Sequence, residues 1–203
     1  MNDRKVVETM DEPYPKMHQP GDLRLPTATG NTQPLWQALA KLVPDFNGRR
    51  VLAIHSGDGW FCRYAVNHGA IAVLGIDDLP SNITASRKTA SSDRLRYRIM
   101  PDHALDRITG TYDYVLGTFD ALNPEFHQAT EALSKRLTPS GQMLVTVNTS
   151  TEIPATDERL QLQQLVSDQL VINRWYQIHD TRLNQNQQLH FLLSAQRRIR
   201  SYH

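Results

Sequence analysis

A chain of 203 residues suits one domain with an appendage, and 39% hydrophobic residues are enough for a proper core. The net charge of +1 gives no field strong enough to single out nucleic acid or a membrane surface as partner. A single cysteine, Cys62, excludes an internal disulfide and suits a reducing, cytoplasmic setting.

Residues 1 to about 32 are rich in Pro, Asp, Gly and Thr and read as an arm or lid, with residues 33–203 as the domain. MNDRKVVETMDEPYP, charged and proline-bearing, is not a signal peptide. No apolar run approaches ~18 residues, so no transmembrane helix is expected. PLWQALAKLVPDF sets Leu35, Leu39 and Leu42 at helical spacing, with Pro34 suited to the first turn. Asn47-Gly48 is a turn, and Arg50 to Ile54 is a short apolar strand. WFCRYAVNHGA is helical and stops at His68-Gly69.

Ala72 to Asp77 is a second strand with an acid at its carboxyl end. SNITASRKTASS reads as a helix opened by Ser81 as N-cap. LRYRIM is a third strand and Tyr112 to Phe119 a fourth. A helix from Pro124 is expected to end before Pro139-Ser140-Gly141, and QMLVTVN is a fifth strand. A polar helix from Asp157 to Leu170 follows, then two strands around Asn184-Gln185-Asn186. The closing QRRIRSYH reads as a solvated basic tail rather than an RNA contact. Strand and helix alternate, which predicts a doubly wound parallel sheet with helices on both faces. The last two strands have no helix between them and predict an antiparallel hairpin at one end.

In such a sheet ligands bind beyond the carboxyl ends of the strands. Three features converge there. Ser56-Gly57-Asp58-Gly59 lets backbone approach a ligand and opens a helix whose free N–H groups face negative charge. Asp77, with Asp78 beside it, stands 18 residues after Gly59, where a carboxylate can accept both hydroxyls of a ribose. Asp102 follows the third strand, placed to meet an adenine edge. Together they describe a pocket for an adenosine-like molecule. A GxGxxG dinucleotide loop is disfavoured, because its third glycine would fall at Cys62. Each feature also has a plain structural reading, as a tight turn, a surface acid pair and a solvated loop residue.

From about Pro34 to Asn148 the chain resembles the class I S-adenosylmethionine-dependent methyltransferases, small bacterial ones acting on small molecules above all. The family's first motif, roughly V-L-D-L-G-C-G-x-G-W, aligns with VLAIHSGDGW, Val51 to Trp60. YDYVLGTFDAL resembles the family's F-D-x-V strand, and LSKRLTPSGQMLVTV its L-x-P-G-G turn and fifth strand. The resemblance implies a Rossmann-like sheet of seven strands, mostly parallel, with the C-terminal hairpin supplying the antiparallel one. It also implies S-adenosylmethionine as cofactor and a small-molecule methyl acceptor. The cofactor-binding positions would be His55, Ser56, Gly57, Asp58, Gly59, Asp77, Asp78, Asp102 and Thr118.

The motif is degenerate. The family's first acid falls on Ala53 and its first glycine on His55. His55 would either pack as a structural histidine, hydrogen-bond a cofactor carboxylate, or belong to a changed site. An alternative reading follows: a non-catalytic binding or regulatory protein, with a protein partner, that has lost the cofactor. Binding of another adenosine-containing ligand is a third.

Methyl transfer depends mainly on alignment of acceptor and methyl group, and a hydroxyl or carboxyl acceptor also needs a base. The candidates are Thr118, Asp120 and His127, with Asp120 preferred as the catalytic residue. Tyr14, Met17 and His18 of the arm would contact the acceptor if the arm closes over the site. The eight histidines show no i, i+4 pairing, so no metal site is expected.

Overall fold

The computed structural model describes residues 33–43, 45–121, 123–149, 158–179 and 189–198. The arm with Tyr14, Met17 and His18, the turn at Asn184 to Asn186 and the last five residues of the tail lie outside the described residues.

The elements follow the hydrophobic pattern closely. Helix α1 (Gln33–Leu42) leads to β1 (Arg50–Ile54), α2 (Trp60–Asn67), β2 (Ala72–Asp77), α3 (Pro80–Thr89) and β3 (Leu95–Ile99). A short 3-10 helix (Asp102–Arg107) precedes β4 (Tyr112–Asp120), α4 (Phe126–Ser134) and β5 (Leu137–Thr149). Helix α5 (Glu158–Leu165) and strands β6 (Leu170–Ile178) and β7 (Leu189–Arg197) complete it. The seven strands form one sheet in the order β3-β2-β1-β4-β5-β7-β6. β7 runs antiparallel to both its neighbours, and the other pairs are parallel. The expected closing hairpin is present, with its second strand slotted between β5 and β6.

Two apolar clusters sandwich the sheet. Alternate residues of β1 divide between them: Val51 and Ala53 pack with Trp36, Leu39, Phe61 and Ile83 from α1, α2 and α3. Leu52 and Ile54 pack with Leu105, Phe126, Leu133 and Leu162 from the 3-10 helix, α4 and α5. The period of two is that of a strand buried on both faces. Each of the larger aliphatic and phenyl side chains among these contributes roughly 1.5–3 kcal/mol by leaving water. The carboxyl ends of β1 and β4 lie side by side, with Ile54 opposite Gly117, and this edge carries the candidate site.

Three sequence expectations are corrected. Ser81 does not cap α3: Leu79 holds the cap position and Pro80 the first turn. Proline there needs no N–H partner, and Asp77 takes the Leu79 N–H instead. Pro139-Ser140-Gly141 is not a helix stop but part of β5, looped out where pairing jumps from Tyr112↔Leu137 to Tyr114↔Gln142. A bulge is where a strand tolerates proline. The polar helix ends at Leu165, and Leu170 already opens β6. The Gln163 side chain joins the two by donating to the Leu170 carbonyl and accepting from the Ile172 N–H.

Candidate functional site

Beyond Ile54 the backbone takes three left-handed positions in five residues: His55 (φ 53°), Gly57 (φ 56°) and Gly59 (φ 74°). Glycine adopts this region freely. A histidine there costs about 1–2 kcal/mol and persists only if its surroundings hold it. They do. Nδ1 of His55 lies 2.6 Å from the Thr118 carbonyl oxygen, and Nε2 lies 2.8 Å from Oδ1 of Asp102. The ring also meets Phe119 edge-on, with centroids 5.0 Å apart.

A carbonyl oxygen can only accept, so Nδ1 donates; an ionised carboxylate also only accepts, so Nε2 donates as well. The ring that satisfies both partners is the imidazolium. Burial works against that charge, but Asp102, the Thr118 carbonyl and Asp77 outweigh it and raise the His55 pKa above the usual histidine value. His55 and Asp102 are 28% and 14% exposed, so water screens this pair only in part.

Asp77 is 4% exposed. Its Oδ2 accepts the Gly57 N–H at 2.9 Å, and its Oδ1 accepts the Leu79 N–H and the Asn82 side-chain amide, each at 3.0 Å. A carboxylate offers about four acceptor positions, so this one retains about one, and not the two that a ribose diol would use. The rest of the loop is fastened from β2, α3 and β3. The Ser56 N–H donates to the Ile76 carbonyl, Ser86 Oγ to the Gly57 carbonyl and the Tyr97 hydroxyl to the Gly59 carbonyl. Asn82, Ser86 and Tyr97 carried no motif in the sequence. Only a polar residue one helical turn past the acid could have hinted at Asn82.

Ala53, in the position of the family's acid, is fully buried among the α1 and α2 side chains. Asp58 accepts the Trp60 N–H through Oδ1 and is 66% exposed. Asp78 is exposed. Thr118 and Asp120 both belong to β4 itself, Thr118 half-buried and Asp120 exposed at its tip opposite Asn148. His127 is exposed on the first turn of α4. The fold thus gathers His55, Asp102 and Thr118 into one bonded set and Gly57 and Asp77 into a second, two residues along the same loop, and leaves Asp58, Asp78 and Asp120 exposed. Ser56 is 2% exposed, and its hydroxyl has no hydrogen-bond partner among the described residues. Cys62 is no nucleophile here, since complete burial pushes its thiol up to about 12. Among the described residues no cluster of three or more His, Cys, Asp or Glu could hold a metal ion, and no helix is long and apolar enough to cross a membrane.

No protein-family profile matches the chain, and no curated protein matches it by sequence. Solved structures do. A S-adenosylmethionine dependent methyltransferase from Mesorhizobium loti aligns with a TM-score of 0.61 at 16% identity, over 83% of this chain and 99% of that one. TrmN from Thermus thermophilus aligns with a TM-score of 0.65 at 16% identity, over 83% of this chain and 50% of that one. Magnesium protoporphyrin IX methyltransferase from Synechocystis PCC 6803, with bound SAH, aligns with a TM-score of 0.58 at 16% identity, over 88% and 90% of the two chains. The chain has the seven-stranded fold of the class I S-adenosylmethionine-dependent methyltransferases.

Proposed function

We propose that this protein is a S-adenosylmethionine-dependent methyltransferase acting on a small-molecule acceptor in the cytoplasm. The observation that carries the reading is the Gly57–Gly59 turn. It takes left-handed backbone at both glycines, opens α2, and is fastened to the acid that ends β2. Gly59 lets the turn close onto its support, since a Cβ there would stand 2.5 Å from the Tyr97 hydroxyl and 2.9 Å from Ser86 Oγ. The orphan Ser56 hydroxyl beside it suits a polar ligand atom.

On this reading the loop would meet the nucleoside end of the cofactor, with Asp77 offering the ribose about one acceptor position rather than two. Ser56, Gly57, Asp58 and Gly59 would lie against it, with Asp77, Asp78, Asp102 and Thr118 around it. The cofactor, when bound, supplies the electrophilic methyl group. What the chain supplies is position: a loop held rigid by Asp77, Ser86 and Tyr97, and a carboxylate at the tip of β4. Asp120 is the group that would take a proton from a hydroxyl acceptor or hold a cationic one. The test is calorimetric titration of S-adenosylmethionine and S-adenosylhomocysteine into the purified protein. Micromolar binding supports the reading. Folded protein that gives no heat and no thermal shift, native or with His55→Gly, overturns it.

Two observations favour a second reading, a non-catalytic module that keeps the fold and pairs with a protein. Ala53 is sealed in the core, and Asp102 is already engaged by His55. Cofactor binding that appears only after His55→Gly would favour it.

A further inference from the structure

The acid expected at an adenine edge and the acid expected at a ribose are both engaged from within the chain. Asp102 is bound by His55, and Asp77 accepts from Gly57, Leu79 and Asn82. The two cases differ in kind. The donors on Asp77 are backbone and an amide, which no change of pH removes. The donor on Asp102 is an imidazole at a left-handed backbone position, bridging the 3-10 helix to β4 across the carboxyl end of β1. A glycine in the same position would leave that space open, and the strain in the His55 backbone favours release once the ring loses a partner.

We infer that His55 is a positioning residue that gates this site: its imidazolium holds Asp102 and the Thr118 carbonyl together, and an adenosine-bearing ligand reaches Asp102 only when that bridge opens. The inference rests on the function proposed above and names how its site is regulated. The groups facing the ring are Asp102 from the 3-10 helix, Asp77 from β2, and the Thr118 carbonyl and Phe119 ring from β4. Both acids and the carbonyl stabilise the charged ring, so the bridge is firm at low pH. Raising the pH through the elevated His55 pKa removes one ring proton. The neutral ring can then donate to only one of its two partners, and the bridge weakens.

The experiment is calorimetric titration of S-adenosylhomocysteine into the full chain, native, His55→Gly and His55→Asn, at about pH 6 and about pH 9. The ligand's own titration is common to all three proteins, so their difference isolates His55. The native protein is expected to bind roughly tenfold or more tightly at the higher pH, with a proton released on binding at the lower one. The released proton shows as a heat that scales with the ionisation enthalpy of the buffer. Both variants are expected to bind at pH 6 at least as tightly as the native protein at pH 9, with no such heat. Asparagine accepts left-handed backbone and carries no charge, so it serves if glycine destabilises the loop. Equal affinities in native and variants, with the same pH trend, would overturn the gate and leave the methyltransferase reading standing. No binding by any of the three, all folded by near-UV circular dichroism, would overturn that reading and the gate with it.

Discussion

Replacing His55 by glycine also makes a prediction about stability that needs no ligand. The imidazole makes a charge-assisted hydrogen bond to Asp102 and a second bond to the Thr118 carbonyl. Such bonds contribute about 1.5–3 kcal/mol and about 1 kcal/mol respectively. Against them stands the left-handed strain of a non-glycine residue, about 1–2 kcal/mol, which glycine relieves. Glycine itself costs about 0.5–1 kcal/mol in chain entropy. The balance is a loss of about 2 kcal/mol while the ring is charged. For a domain of this size that lowers Tm by roughly 4–8 °C.

The pH dependence has a definite sign. The folded-state pKa of His55 is raised, so its contribution is fully present below the ordinary value of about 6.5 and is lost as pH rises through the folded value. Thermal denaturation of native and His55→Gly protein, followed by circular dichroism at about pH 6 and about pH 9, reads this directly. Other titrating groups are shared by the two proteins and cancel in the difference. The Tm gap is expected to be wide at pH 6 and narrow at pH 9. A gap of the same width at both, or wider at pH 9, would refute the imidazolium bridge.

Two further outcomes test the loop. Gly59→Ala would place a Cβ 2.5 Å from the Tyr97 hydroxyl and 2.9 Å from Ser86 Oγ on a backbone of φ 74°. It is expected to cost about 2–4 kcal/mol, read as a shifted denaturant midpoint at unchanged slope. Asp77→Asn would keep one accepting oxygen and turn an NH2 toward the donor or donors on the other side, and a loss of about 2–4 kcal/mol is expected in the same assay. A loss below ~0.5 kcal/mol would mean that the carboxylate is not what fastens the loop.

Much of the fold was legible because local chemistry repeats it. The apolar runs Val51 to Ile54 and Ala72 to Ile76 can only be buried strands in this setting, and glycines at 57, 59 and 69 mark where the chain turns. Asp77 was recognisable as important from its place at the end of a strand, though its bonds to Leu79, Asn82 and Gly57 make it a fastener of the loop. The errors came where a local signal had two meanings. Ser81 looks like a cap, but Pro80 ahead of it moves the helix start. Pro139-Ser140-Gly141 looks like a stop, but a bulge accommodates it between paired residues.

The alternation of strand and helix, a pattern present in the chain itself, determined the parallel sheet, its closing hairpin and the edge where a ligand would bind. Tertiary structure alone decided that β7 enters between β5 and β6. It alone decided that His55 meets Thr118 and Asp102, 63 and 47 positions away. The physical reason is common to both. Pairing of strands joined by long crossovers is settled by burial across the whole sheet, and which side chains meet at the strand tips follows from that pairing rather than from any periodicity along the chain.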